Sequence, residues 1–266
     1  MLRLIDVHKT FNPGTINEKK ALNGIDLTLE DGDFVTVIGS NGAGKSTVLN
    51  MIAGVYPIDS GSILIDDKNV TRLPEHKRAK YLGRVFQDPM TGTAPDMTIQ
   101  ENLAIAARRG KTRTLMPEIR RAERETYREL LATLGLGLET RLTSKVGLLS
   151  GGQRQAITLL MATFKKPKLL LLDEHTAALD PKTARKVLDM TRDIVERDKL
   201  TTLMITHNMA DAIEMGNRLI MMNDGQIIFD VRGEEKKNLT VEALLDKFKE
   251  AAGEALDNDR MLLSAQ

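Results

Sequence analysis

The feature that most constrains this chain is a short apolar run, residues 34–38, halted by a glycine-rich loop. Gly39, Ser40, Asn41, Gly42, Ala43, Gly44, Lys45, Ser46 and Thr47 follow in order, and residues 47–53 then read as a helix. Strand, glycine loop and helix in that order form the context in which a backbone cradles phosphate. The glycines let the chain curl so that successive N–H groups face inward, and the helix adds the positive end of its dipole. Lys45 brings a point charge for the outer phosphates, and the Ser46 hydroxyl suits a Mg²⁺ shell.

A second motif stands downstream. Leu169, Leu170, Leu171 and Leu172 make a buried strand that ends in Asp173 and Glu174. Such a strand delivers carboxylates to the C-terminal edge of a parallel sheet, where ligands of such sheets bind. After a phosphate loop, Asp173 reads as a Mg²⁺ holder and Glu174 as the group that polarises an attacking water. Gln87 ends a strand over residues 81–86, where an amide carbonyl can ligate Mg²⁺ and sense a γ-phosphate. His207 ends a strand over residues 203–206, where a donor can grip the γ-phosphate or orient the water. Taken singly, these two have plainer readings as a turn glutamine and a satisfied strand-end histidine. Between the motifs, Leu149, Ser150, Gly151, Gly152 and Gln153 open a helix with a Ser-x-x-Gln capping box. Asp180 and Pro181 open another, with Asp as N-cap and Pro at the first helical position.

Composition excludes several classes. With 38 basic and 37 acidic residues the net charge is +1, so no global field draws the chain to nucleic acid or an anionic membrane. There is no Cys, which removes disulfides, thiolate metal sites and cysteine nucleophiles, and no Trp for stacking single strands. The N-terminus lacks the apolar run of a signal peptide, and nowhere do roughly 18 apolar residues follow one another. A soluble chain is expected, associated with a membrane only through a partner.

Further strands are expected over residues 2–7, 21–29 and 61–65, with a hairpin of 219–222 and 227–229 turned by Asn223, Asp224 and Gly225. After Pro89 the texture changes. Residues 98–109 and 116–134 are charged and helical in period, joined through a basic connection at 108–113. Residues 88–146 are therefore read as an inserted helical lobe between core segments 1–87 and 147–232. Residues 233–266 form a tail with a charged amphipathic helix expected over 241–255.

Taken together, the phosphate loop, Gln87, the 149–153 stretch, the Asp173-Glu174 strand, Ala178-Leu179-Asp180 and His207 resemble the nucleotide-binding subunit of an ATP-binding cassette (ABC) transporter. The motifs appear in the family's order and span nearly all of residues 1–230. The resemblance implies an α/β fold: a phosphate-loop NTPase core with an N-terminal antiparallel β subdomain and an inserted α-helical subdomain. It implies ATP and Mg²⁺ as cofactors, with Ser46, Gln87 and Asp173 toward the metal and Glu174, Gln87 and His207 toward catalysis. Phe11 matches the aromatic that stacks on adenine, a contact that discriminates bases poorly and leaves GTP open. Ser150, Gly151, Gly152 and Gln153 would meet the ATP of a second copy, and Asp180 would lie at the seam. Two chains would sandwich two ATP molecules head to tail and drive a separate transmembrane permease, usually docked beside residues 88–97. The segments at 84–89 and 151–163 resemble importers that also use a substrate-binding protein for small solutes such as amino acids. The chain would then sit on the cytoplasmic face of the membrane. His175 departs from the Pro of many relatives, and Phe11 from Tyr, without removing a catalytic group. The alternative is a soluble scaffold ATPase like that of iron–sulfur cluster assembly.

Overall fold

The structure is a computed structural model that describes residues 1–110 and 119–252, the last two as backbone only. Along the chain lie β1 (Leu2–Phe11), β2 (Lys19–Leu29), β3 (Phe34–Gly39), α1 (Lys45–Ala53), β4 (Ser60–Ile65), β5 (Lys68–Asn69) and α2 (Glu75–Arg78). Then come β6 (Leu82–Val85), α3 (Ile99–Ala107), α4 (Arg121–Ala132), α5 (Gly151–Thr163), β7 (Leu169–Asp173) and α6 (Pro181–Asp198). The chain continues through β8 (Thr202–Ile205), α7 (Met209–Glu214), β9 (Arg218–Asn223), β10 (Gln226–Arg232), α8 (Gly233–Lys237) and α9 (Val241–Ala252). The elements fall into two compact units: Met1–Arg78 with the described residues from Lys199 onward, and Ala79–Asp198.

The first unit holds two sheets. One is antiparallel, in the order β2-β1-β4-β5; the other runs β10-β9-β3-β8, with β3 parallel to both β8 and β9. Every residue of β3 is buried, which is why its sequence does not alternate; its one polar residue, Thr36, donates its hydroxyl to the Ala212 carbonyl. β1 extends past the expected 2–7 because Asp6 takes φ 46° amid shifts in register, a bulge that re-phases the strand and carries it on to Phe11. The expected hairpin forms between β9 and β10. Asp224 and Gly225 take φ 45° and 74°, as the tight turn requires. Ile38, Leu219 and Met221 pack with Met209 and Ala212 of α7 and with Leu244 and Phe248 of α9.

Arg78 closes the far end of α1. It is buried, and its guanidinium donates to the carbonyls of Met51 (2.6 Å), Ile52 (3.0 Å), Leu73 (2.8 Å) and Thr71 (2.9 Å). A cation there satisfies the last carbonyls of the helix and opposes the negative end of its dipole.

In the second unit β6 and β7 run parallel, and a helical core gathers Leu103, Tyr127, Leu131, Leu138, Ile157 and Leu160. α3 starts at a reciprocal Thr98–Glu101 capping box, whose hydrogen bonds hold the Glu101 carboxyl below its usual range. Part of the basic connection at 108–113, the start of the helix expected from 116, and the tail from 253 lie outside the described residues. Among the described residues no helix is long and apolar enough to cross a membrane.

Candidate functional site

In the first unit, β3 ends at Gly39 and the chain loops through residues 40–44 into α1. Gly42 and Gly44 take φ 84° and 99°, and a Cβ on Gly39 would stand 2.1 Å from the Met222 carbonyl, so only glycine fits. No side chain caps the start of α1, whose first residues are Lys45, Ser46 and Thr47. The start of a helix, with the positive end of its dipole, is where an anion is received. Lys45 is buried, and its ammonium donates to the carbonyls of Gly39 (2.6 Å) and Ser40 (2.9 Å), folded along the inside of the loop.

The loop is braced from behind by the β9–β10 turn. Ser40 Oγ hydrogen-bonds Asn223 Oδ1 (3.1 Å), and the Gly225 N–H donates to the Ala43 carbonyl (3.1 Å). Val37 pairs with Ile205 across parallel β3 and β8, and the Thr206 N–H reaches the Val37 carbonyl (3.2 Å). Exposed His207 therefore leaves the same sheet edge as Gly39. Phe11 ends β1 and meets Tyr56 edge to face, with centroids 5.4 Å apart.

The second unit repeats the logic. Val85 pairs with Leu172, so Gln87 and the Asp173-Glu174 pair leave neighbouring parallel strand ends. Gln87 is exposed; Asp173 is partly buried, with Arg84 Nη2 at 3.8 Å from its carboxylate. Arg84 itself lies 4.5 Å over the Phe86 ring. Glu174 sits at φ 43°, a left-handed conformation that costs a non-glycine residue about 1 kcal/mol or more. Next to it His175 is buried, and burial pushes its pKa down to about 4. The ring is therefore neutral near pH 7, with a single N–H proton.

The 149–153 stretch forms the expected capping box. Ser150 Oγ accepts from the Gln153 N–H (3.3 Å), and the Ser150 N–H donates to Gln153 Oε1 (3.2 Å). Ser150 and Gly151 are exposed, whereas Gly152 faces α6: a Cβ there would lie 2.1 Å from Thr183 Cγ2. Asp180 Oδ1 accepts from the Thr183 N–H (3.0 Å), the N-cap expected before Pro181. Hydrogen bonds from Thr183, side chain first and then backbone, hold the Asp180 carboxyl below its usual range.

Among the described residues no three His, Asp or Glu side chains cluster as a metal cage. The Ser46 hydroxyl in the first unit, and the Gln87 amide and Asp173 carboxylate in the second, are each oxygen donors of the kind that Mg²⁺ takes.

A phosphate loop at the start of a capless helix and carboxylates at a parallel strand end define a nucleotide-hydrolysing protein of the phosphate-loop class. Residues 22–177 match the family described as ABC transporter. The chain is 46% identical over 252 residues to the tyrosine transport ATP-binding protein of Clostridioides difficile (strain R20291), covering 94% of this chain and all of that one. It is 34% identical to the spermidine/putrescine import ATP-binding protein PotA of Escherichia coli (strain K12) over 268 residues, 98% of this chain and 66% of that protein. Among solved structures it resembles the ATP-binding cassette MJ0796, a dimer bound to ADP and Pi, with TM-score 0.73 and 30% identity over 87% of this chain and 98% of that one. The cassette MJ1267 gives TM-score 0.76 and 28% identity over 93% and 98%. This chain belongs to the ABC transporter family. It binds ATP and is an ATPase of that type.

Sequence reasoning passed over Tyr56, and over the contacts that Arg84 and Asn223 make. Arg84 had a signal, a charge inside an otherwise apolar strand before Gln87. Tyr56 on Phe11 and Asn223 on Ser40 had none, because each contact joins residues remote in sequence.

Proposed function

We propose that this chain is the ATP-hydrolysing subunit of an importer, powering uptake of a small amino-acid-like solute through a separate membrane permease. The observation that carries this is the end-to-end likeness to a tyrosine transport subunit. In this reading the 1–232 segment is the ATPase domain, with a core of 1–87 and 147–232 and a helical insert near 88–146, and 233–266 is an accessory tail. Phe11 stacks on the base, residues 39–47 hold the phosphates, and Glu174 takes the proton of the attacking water while His207 and Gln87 read the γ-phosphate. Ser46, Gln87 and Asp173 would hold Mg²⁺, which neutralises charge on the phosphates. Two copies associate head to tail, each offering Ser150, Gly151, Gly152 and Gln153 to the other's ATP, with Asp180 at the seam. The bare N–H groups of a helix start are suited to an anion approaching from outside. ATP closes the dimer and hydrolysis reopens it, a two-state element set by the γ-phosphate. A substrate-binding protein would deliver the solute outside, with this subunit peripheral on the cytoplasmic face.

Glu174→Gln tests the chemistry. With MgATP it should elute as a stable dimer in size-exclusion chromatography while hydrolysis is lost; wild-type turnover would remove Glu174 as the base. Co-purification of a multi-span permease tests the transport role, and recovery of cluster-assembly proteins in its place would favour the scaffold reading.

A further inference from the structure

Lys19 belongs to no motif, yet its position joins the two ends of the nucleotide site in the first unit. It opens β2 and pairs directly with Phe11, the last residue of β1. Its ammonium lies against the phosphate loop: a Cβ built on Gly42 would stand 2.8 Å from Lys19 Nζ. Its backbone thus lies beside the aromatic, and its charge lies on the loop.

The electrostatics sharpen this. Nearby Lys9 is neutralised by Asp59 at 2.8 Å. The exposed Lys19 has no hydrogen bond or ion pair for its ammonium among the described residues. The loop beside it carries the positive N-terminal end of α1. A flexible lysine left beside like charge has no reason to stay there unless an anion completes the cluster. A glycine at 42 also keeps the way clear for the ammonium to reach the backbone.

We infer that Lys19 is a second phosphate-binding lysine, which donates to the phosphate chain of a nucleotide already stacked on Phe11 and so adds affinity for nucleoside di- and triphosphates. The inference rests on the loop being the ATP site. Its contact is with phosphate, so it acts alike on adenine and guanine nucleotides.

The test is calorimetric titration of MgADP and MgATP into wild type, Lys19→Met, Lys19→Arg and Lys45→Ala, at low and high salt. Lys19→Met should weaken both nucleotides by about fivefold to thirtyfold, the range of one partly solvated charge-assisted hydrogen bond. Lys19→Arg should recover most of the loss, the deficit should shrink at high salt, and melting without nucleotide should be unchanged. Wild-type or tighter binding by Lys19→Met, or an Arg variant as weak as Met, overturns the inference. If Lys45→Ala keeps full affinity, the loop reading itself fails; if Lys45→Ala loses affinity and Lys19→Met does not, only the role of Lys19 falls.

Discussion

The buried ring of His175 donates through Nε2 to Thr191 Oγ1 at 3.1 Å. The direction follows from Thr191, whose own hydroxyl proton goes to the Val187 carbonyl at 2.8 Å, leaving its oxygen to accept. The segment carrying Glu174 is thereby tied to the middle of α6. Thr191→Val should cost about 1–3 kcal/mol in urea unfolding at pH 7, because it strands a buried N–H. Combined with His175→Leu, the double variant should lose less than the sum of the singles. Strict additivity would mean that the pair is not coupled.

Lys236 gives a pH dependence of unusual sign. It is buried, its ammonium donating to the Met215 and Gly216 carbonyls, and burial lowers its pKa from 10.5 to about 8. Between those values the unfolded chain binds the proton more tightly than the folded one, so this residue's contribution to stability rises with pH across that window. Relative to Lys236→Met, wild type should gain up to about 3 kcal/mol from pH 8 to 10.5. A flat difference in denaturant midpoints across the window would contradict this.

Gly152 leaves no room for a side chain. Gly152→Ala should push α5 from Thr183 and destabilise by about 1–3 kcal/mol. Adding Thr183→Ser, which removes the obstructing methyl, should restore much of the melting temperature. Failure of that rescue would show that the close approach is not what demands glycine.

Glu174 occupies a backbone region that glycine enters without strain. Glu174→Gly and Glu174→Ala both delete the carboxylate and should both abolish ATP hydrolysis. The glycine variant should nevertheless be the more stable of the two by about 1 kcal/mol in chemical unfolding. An alanine variant of equal stability would argue that the segment relaxes out of the left-handed region.

What could be read in the sequence was whatever depends on neighbours along the chain. The capping box at Ser150 and Gln153, the Asp180–Pro181 helix start, the β9–β10 turn and the wholly buried β3 all form where local chemistry puts them. The extension of β1 to Phe11 was hidden because a bulge at Asp6 breaks the alternation on which strand reading depends. The short helix α7 and two-residue β5 are too brief to show a period. Lys19 at the loop, Arg78 at the end of α1 and Asn223 on Ser40 were hidden for another reason. Each is a contact between distant segments, and a single sequence carries no mark of it.

The bracing of the phosphate loop by the β9–β10 turn bears on the order in which the protein comes into being. Residues 39–46 leave the ribosome early, but the Ser40–Asn223 and Ala43–Gly225 bonds await residues made much later. A nascent chain that stops short of Asn223 carries every letter of the phosphate motif without a finished binding site. Ribosome-stalled chains ending before and after residue 225 should therefore divide sharply in their capture on ATP resin. Nucleotide then becomes a reporter of completed synthesis, gained only once most of the chain has been made.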